Sequence, residues 1–85
     1  MAEKILFSLE HCLKCTQTKD ILTNREDITI VTLPHNLQDW SDDQKQMVRS
    51  YDVLGDLERT APVLWTDTGK YVGYLRIRKW LQDQP

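Results

Sequence analysis

Eighty-five residues, 40% apolar, 28% charged and 8% aromatic, suffice for one small domain around a single core and exclude two. Eleven basic residues against thirteen acidic leave a formal charge of −2, which argues against phosphate backbones or anionic lipid as the main partner. The apolar stretches are short, as in Ile5-Leu6-Phe7, far below the roughly 20 residues of a membrane span. The N-terminus also lacks a signal peptide's apolar segment and cleavage site. The expectation is a cytoplasmic, monomeric protein with neither nucleic acid nor membrane as partner.

Lys4 to Leu9 carries Ile5, Leu6, Phe7 and Leu9 with little alternation, which predicts a first strand covered on both faces, as parallel strands usually are. From about Cys12 to Asn24 the spacing puts Cys15, Thr18 and Leu22 on one helical face, flanked by Ile21. Asp27 to Leu33 is rich in β-branched residues and stops at Pro34, a second strand. Strand, helix, strand implies a parallel pair with a right-handed crossover. Ser41-Asp42-Asp43-Gln44 resembles a capping box with acids in the first turn, so a helix follows to about Asp52 with Met47, Val48 and Tyr51 inward.

A linker containing Gly55 is expected next. Pro62 to Thr66 and Lys70 to Tyr74 then flank the turn Asp67-Thr68-Gly69 and predict an antiparallel hairpin. Arg76 to Gln82 closes the chain as a helix burying Ile77, Trp80 and Leu81. The predicted order is β-α-β-α-β-β-α, an α/β domain. Trp40, Trp65 and Trp80 read as packing residues, with Trp65 the aromatic expected nearest the site. Arg76, Arg78 and Lys79 read as a solvated face. Because cations at a helix start are unfavourable, an acidic partner is the other reading.

The chemistry lies in the two cysteines, three residues apart, a spacing that random placement gives in about 2% of cases. A bridge between them closes too short a loop to stabilise much, so their role is chemical. A Cys-x-x-Cys pair where a strand passes into a helix sets the first sulfur beside unpaired backbone N–H groups and the positive end of the helix dipole. Both favour a thiolate, the attacking species in disulfide exchange. Cys12, at the exposed tip, is expected to attack a substrate disulfide. Cys15, about one turn inward, is expected to resolve the mixed disulfide. Lys14 and a protonated His11 favour the thiolate, and Glu10 opposes it. Pro62, lacking an N–H, suits the start of a strand, and Ala61 beside it can offer its N–H and C=O to an extended substrate as one more strand.

These residues resemble the glutaredoxin-like branch of the thioredoxin superfamily over nearly the whole chain. The likeness rests on the opening strand, on Cys12-Leu13-Lys14-Cys15-Thr16-Gln17-Thr18-Lys19, on Thr60-Ala61-Pro62-Val63-Leu64, and on Gly73 before the last helix. Cys-x-x-Cys-Thr-x-Thr-Lys is most similar to the NrdH-type redoxins that reduce ribonucleotide reductase. The resemblance implies a thioredoxin fold with a four-stranded mixed sheet, a cis Pro62, Cys12 as nucleophile and Cys15 as resolving thiol. It sets His11, Leu13, Lys14, Thr60, Ala61, Pro62, Gly73 and Tyr74 along the substrate. No bound cofactor is implied, since electrons come from a thioredoxin-reductase-type flavoprotein or from glutathione. Many glutathione-using members carry Lys where this chain has Leu9, and they usually carry Pro-Tyr where it has Leu13-Lys14 and a Gly-Gly and acidic signature where it has Val72-Gly73-Tyr74-Leu75-Arg76.

The rival reading is a metal-binding module. Four-coordinate zinc needs two donors beyond Cys12 and Cys15, and His11 and His35 are the only histidines, the former adjacent to Cys12. A zinc or iron–sulfur site shared across a dimer, two cysteines from each chain, recruits no other residue.

Overall fold

Lys4–Leu9 forms strand β1, and its buried run Ile5, Leu6, Phe7 and Ser8 presents no face that water can cover. It therefore sits inside the sheet. The computed structural model describes residues 4–22 and 25–83. After β1 come α1 (Leu13–Leu22), β2 (Ile28–Leu33), a 3-10 turn (Leu37–Asp39) and α2 (Asp42–Ser50). α3 (Leu54–Arg59), β3 (Val63–Thr66), β4 (Gly69–Val72) and α4 (Tyr74–Gln82) complete the order. The sheet runs β2-β1-β3-β4, with β1 parallel to β2 and antiparallel to β3, and β3 antiparallel to β4. This is a mixed α/β architecture with four strands and four α-helices among the described residues.

The period of two along the strands divides the core into two layers. Ile5, Phe7, Leu33 and Val63 point to one side, where Trp40, Val48, Val53 and Leu57 cover them from α2, α3 and the segments beside them. Leu6, Ile28 and Leu64 point to the other, against Leu22 of α1 and Ile77 and Trp80 of α4. All three tryptophans pack. Trp40 is buried and its indole N–H donates to the Pro34 carbonyl (2.8 Å), and Trp80 lies 5.9 Å from the Tyr71 ring.

Local chemistry sets the element ends. The capping box forms: Ser41 Oγ accepts from Gln44 N–H, and the Gln44 side chain accepts from Ser41 N–H. α2 ends with Asp52 in the left-handed region (φ 56°), its N–H on the Arg49 carbonyl and the Val53 N–H on that of Val48, a Schellman closure. Asp27 stands just outside β2, and Arg25 (3.0 Å) and Lys4 (3.3 Å) hold its carboxylate. The Arg25 hydrogen bonds, helped by Lys4, lower its pKa to about 2.

The hairpin turn is organised by buried Thr66, whose Oγ1 accepts from Thr68 N–H (3.2 Å) and Gly69 N–H (3.1 Å) and donates to the Gly69 carbonyl (2.9 Å). Thr66→Val keeps the shape but removes the protein acceptor of two backbone N–H groups in an exposed turn, where water replaces it in part, so denaturant unfolding should show a loss of about 0.5–1.5 kcal/mol. An unchanged midpoint would remove this role.

Three expectations need correction. The segment around Gly55 is not a linker but α3, because Leu54 and Leu57 pack on the core and Lys70 reaches from β4 to Asp56 (3.0 Å) and to the Asp52 carbonyl (2.7 Å). The last strand ends at Val72, and Tyr74 opens α4 two residues before Arg76, since Gly73 (φ 92°) turns the chain there. Helix α1 begins at Leu13 with Cys12 as its cap, within a residue of the expected start, and the expected end at Asn24 lies outside the described residues. Trp65 pairs with Ile5 and packs edge-on against Tyr51 (4.8 Å), in the core layer rather than beside the thiols.

Candidate functional site

The parallel pair β1–β2 ends at Leu9 and Leu33, and Glu10 N–H bonds the Leu33 carbonyl (2.9 Å), so the loop that follows starts from a fixed point. His11 then takes a left-handed backbone (φ 56°), a region histidine enters more readily than most residues. This turn delivers Cys12 to the head of α1. The Cys12 carbonyl accepts the first helical bond, from Thr16 N–H (3.0 Å), and Cys12 Sγ accepts from Cys15 N–H (3.2 Å). Cys12 is thus an N-cap whose acceptor is sulfur, and a negative charge on it meets a backbone donor and the positive end of the dipole.

Cys15 lies one turn inward and is 1% exposed, whereas Cys12 is half-buried. Both are free thiols. Leu9 N–H donates to Cys15 Sγ (3.4 Å). Burial, above all, and the hydrogen bond to Cys12 push the Cys15 thiol up to about 12, against smaller lowering effects from Leu9 N–H and the Lys19 ammonium. A polar chain runs behind it: Lys19 Nζ bonds Thr32 Oγ1 (2.8 Å), and Thr32 meets the buried Ser8 hydroxyl (3.3 Å), which also donates to the Val31 carbonyl. This arrangement sets a pH dependence. With a folded pKa above the ordinary 9.0, Cys15 keeps its proton in the fold after the unfolded chain has lost it, so its contribution falls as pH rises from about 9 to about 12. Over that window the stability of the wild type relative to Cys15→Ser should decline in urea titrations; a constant difference would contradict it.

The Ala61–Pro62 bond is cis and Pro62 is fully buried. Continuing the β1–β3 register beyond Phe7↔Val63 sets Pro62 opposite Ser8 and Ala61 opposite Leu9, at the end of the sheet from which the Cys12 loop leaves. Gly73 N–H donates to the Pro62 carbonyl (2.8 Å), and a Cβ on Gly73 would stand 3.3 Å from Thr60 Cγ2. Positive φ and close approach both require glycine there. Among the described residues, nothing hydrogen-bonds the N–H or C=O of Ala61.

One end of the sheet therefore gathers His11, Cys12, Cys15, Thr60, Ala61, Pro62 and Gly73, with Tyr74 half-buried after it. Leu13, 73% exposed, and Lys14 lie on the first turn of α1. One neighbour was not legible as part of the site: His35, whose Nδ1 lies 3.3 Å from the Glu10 carbonyl. Only the β1–β2 register brings it there, and nothing in its sequence surroundings signals that.

No group of three or more His, Cys, Asp or Glu side chains arranged to hold a metal occurs among the described residues. No helix among them is long and apolar enough to cross a membrane. Comparison with protein-family models, with curated proteins and with solved structures finds no match to this chain.

Proposed function

We propose that the chain is a thiol–disulfide oxidoreductase of the glutaredoxin-like type, with a thioredoxin fold, that reduces protein disulfides. The observation that carries this reading is the stacking of the two sulfurs: Cys12 half-buried and accepting a backbone N–H at a helix head, Cys15 closed off behind it. Inert core cysteines have no reason to be divided this way.

In the proposed reaction the Cys12 thiolate attacks one sulfur of the substrate disulfide, and the other sulfur leaves as a thiolate that takes up a proton. The substrate lies along Ala61, whose unused N–H and C=O suit an added strand. Once Cys12 is bound in the mixed disulfide, the Cys12 hydrogen bond and charge that oppose Cys15 ionisation disappear, while Leu9 N–H and Lys19 remain to support it. As Cys15 attacks Cys12 Sγ its proton passes to the departing substrate sulfur, so the Cys12–Cys15 disulfide forms and the second substrate thiol is expelled. Two electrons pass to the substrate. A thioredoxin-reductase-type flavoprotein or glutathione returns them, in the cytoplasm, where thiols are kept reduced.

The test is a Cys15→Ser variant mixed with a peptide disulfide. A stable adduct mapping to Cys12 is the expected product. No adduct, or one absent from Cys12, would overturn the reading.

A further inference from the structure

Beside the Thr60–Pro62 segment, at the β4 edge of the sheet, lies a groove of about 390 Å³ lined by Asp56, Arg59, Thr60, Lys70, Val72 and Arg76. Its charges do not balance. Lys70 is held by Asp56 (3.0 Å), by Asp52 (3.8 Å) and by the Asp52 carbonyl, which uses up the one carboxylate in the lining. Arg59 and Arg76, both exposed and carried by different helices, make no ion pair among the described residues. Two guanidinium groups on one groove repel each other and together attract an anion, and guanidinium geometry suits a carboxylate.

The groove is continuous with the substrate path. Thr60 lines it, touches the Gly73 position, and is followed directly by Ala61, whose backbone is open to an added strand. Arg59 precedes Ala61 by two residues, a separation of about 7 Å in extended chain. A peptide lying along Ala61 brings its flanking side chains to the groove.

We propose that Arg59 and Arg76 select protein disulfides whose reactive cysteine is flanked by Asp or Glu, with the acidic side chain held in this groove. The inference rests on the disulfide-exchange reading of Cys12 and Cys15 and adds the substrate class.

The test compares two disulfide peptides that differ only in having two Glu or two Gln residues beside the cysteine. At low ionic strength the wild type should reduce the Glu peptide with a KM about fivefold lower at similar kcat, a size typical of exposed charge pairs. The ratio should approach one at about 0.5 M salt. Arg59→Glu combined with Arg76→Glu should invert it; because each protein is its own reference, partial loss of folded protein does not affect the ratio. A ratio of one in the wild type at low salt, or an unchanged ratio in the double variant, overturns the proposal. So does a double variant altered only in reducing glutathione disulfide, since the groove then serves a tripeptide. If the wild type reduces neither peptide, the exchange reading itself fails, which is distinct from equal reduction of both.

Discussion

Cys12→Ser should abolish reduction of a protein disulfide, by about three orders of magnitude or more, because a serine hydroxyl at neutral pH neither attacks a disulfide nor forms the mixed intermediate. Cys15→Ser should behave differently. Cys12 keeps its place as the cap of α1, its backbone donor from residue 15 and its access to solvent, so the first step proceeds and the adduct accumulates. Steady-state turnover then falls while single-turnover adduct formation persists. Both are read by a coupled assay and by intact mass after rapid acid quench. Equal residual activity in the two variants would contradict the division of roles between the sulfurs.

Phe7→Ala should cost about 3–5 kcal/mol, a large share of the stability of so small a domain. The ring is fully buried, lies 5.6 Å from Tyr51, and sits on the central strand between Val31 of β2 and Val63 of β3. Its removal opens a cavity that the sheet cannot close, since both neighbouring strands are held by their own ladders. Phe7 is also two residues from Leu9, whose N–H holds Cys15 Sγ, so partial unfolding should expose Cys15 to alkylation. Urea unfolding followed by tryptophan fluorescence checks the first effect, and iodoacetamide labelling at neutral pH checks the second. A loss below about 1 kcal/mol would mean that the core does not centre on β1.

Much of this was readable from residue order where local chemistry decides. The unbroken apolar run of β1, the capping box at Ser41 and the two hairpin strands each carry their own signal, and the structure places them within a residue or two of expectation. The faces of α1 and α4 follow from spacing, as burial of Cys15, Thr18, Leu22, Ile77 and Trp80 shows. α3 was not readable. Six residues with Gly55 among them are too few for a helical period, no side chain caps it, and it is held from outside by Leu57 and Lys70. The start of the last helix is hidden in the sequence because Tyr71, Val72 and Tyr74 continue a strand pattern, and only the φ of Gly73 breaks it. Within the site, adjacency in sequence was enough for the dithiol. His35 and the groove at Arg59 and Arg76 depend on the pairing of distant strands and on the unforeseen α3, which no local pattern encodes.

The most direct test mixes fully reduced wild-type protein, without oxygen, with one equivalent of a peptide disulfide and counts thiols on both products. The expected products are a protein that has lost two hydrogens as a Cys12–Cys15 bridge and two free peptide thiols for each molecule consumed. A wild type that stays dithiol, or that stops as a lasting mixed disulfide, would contradict it.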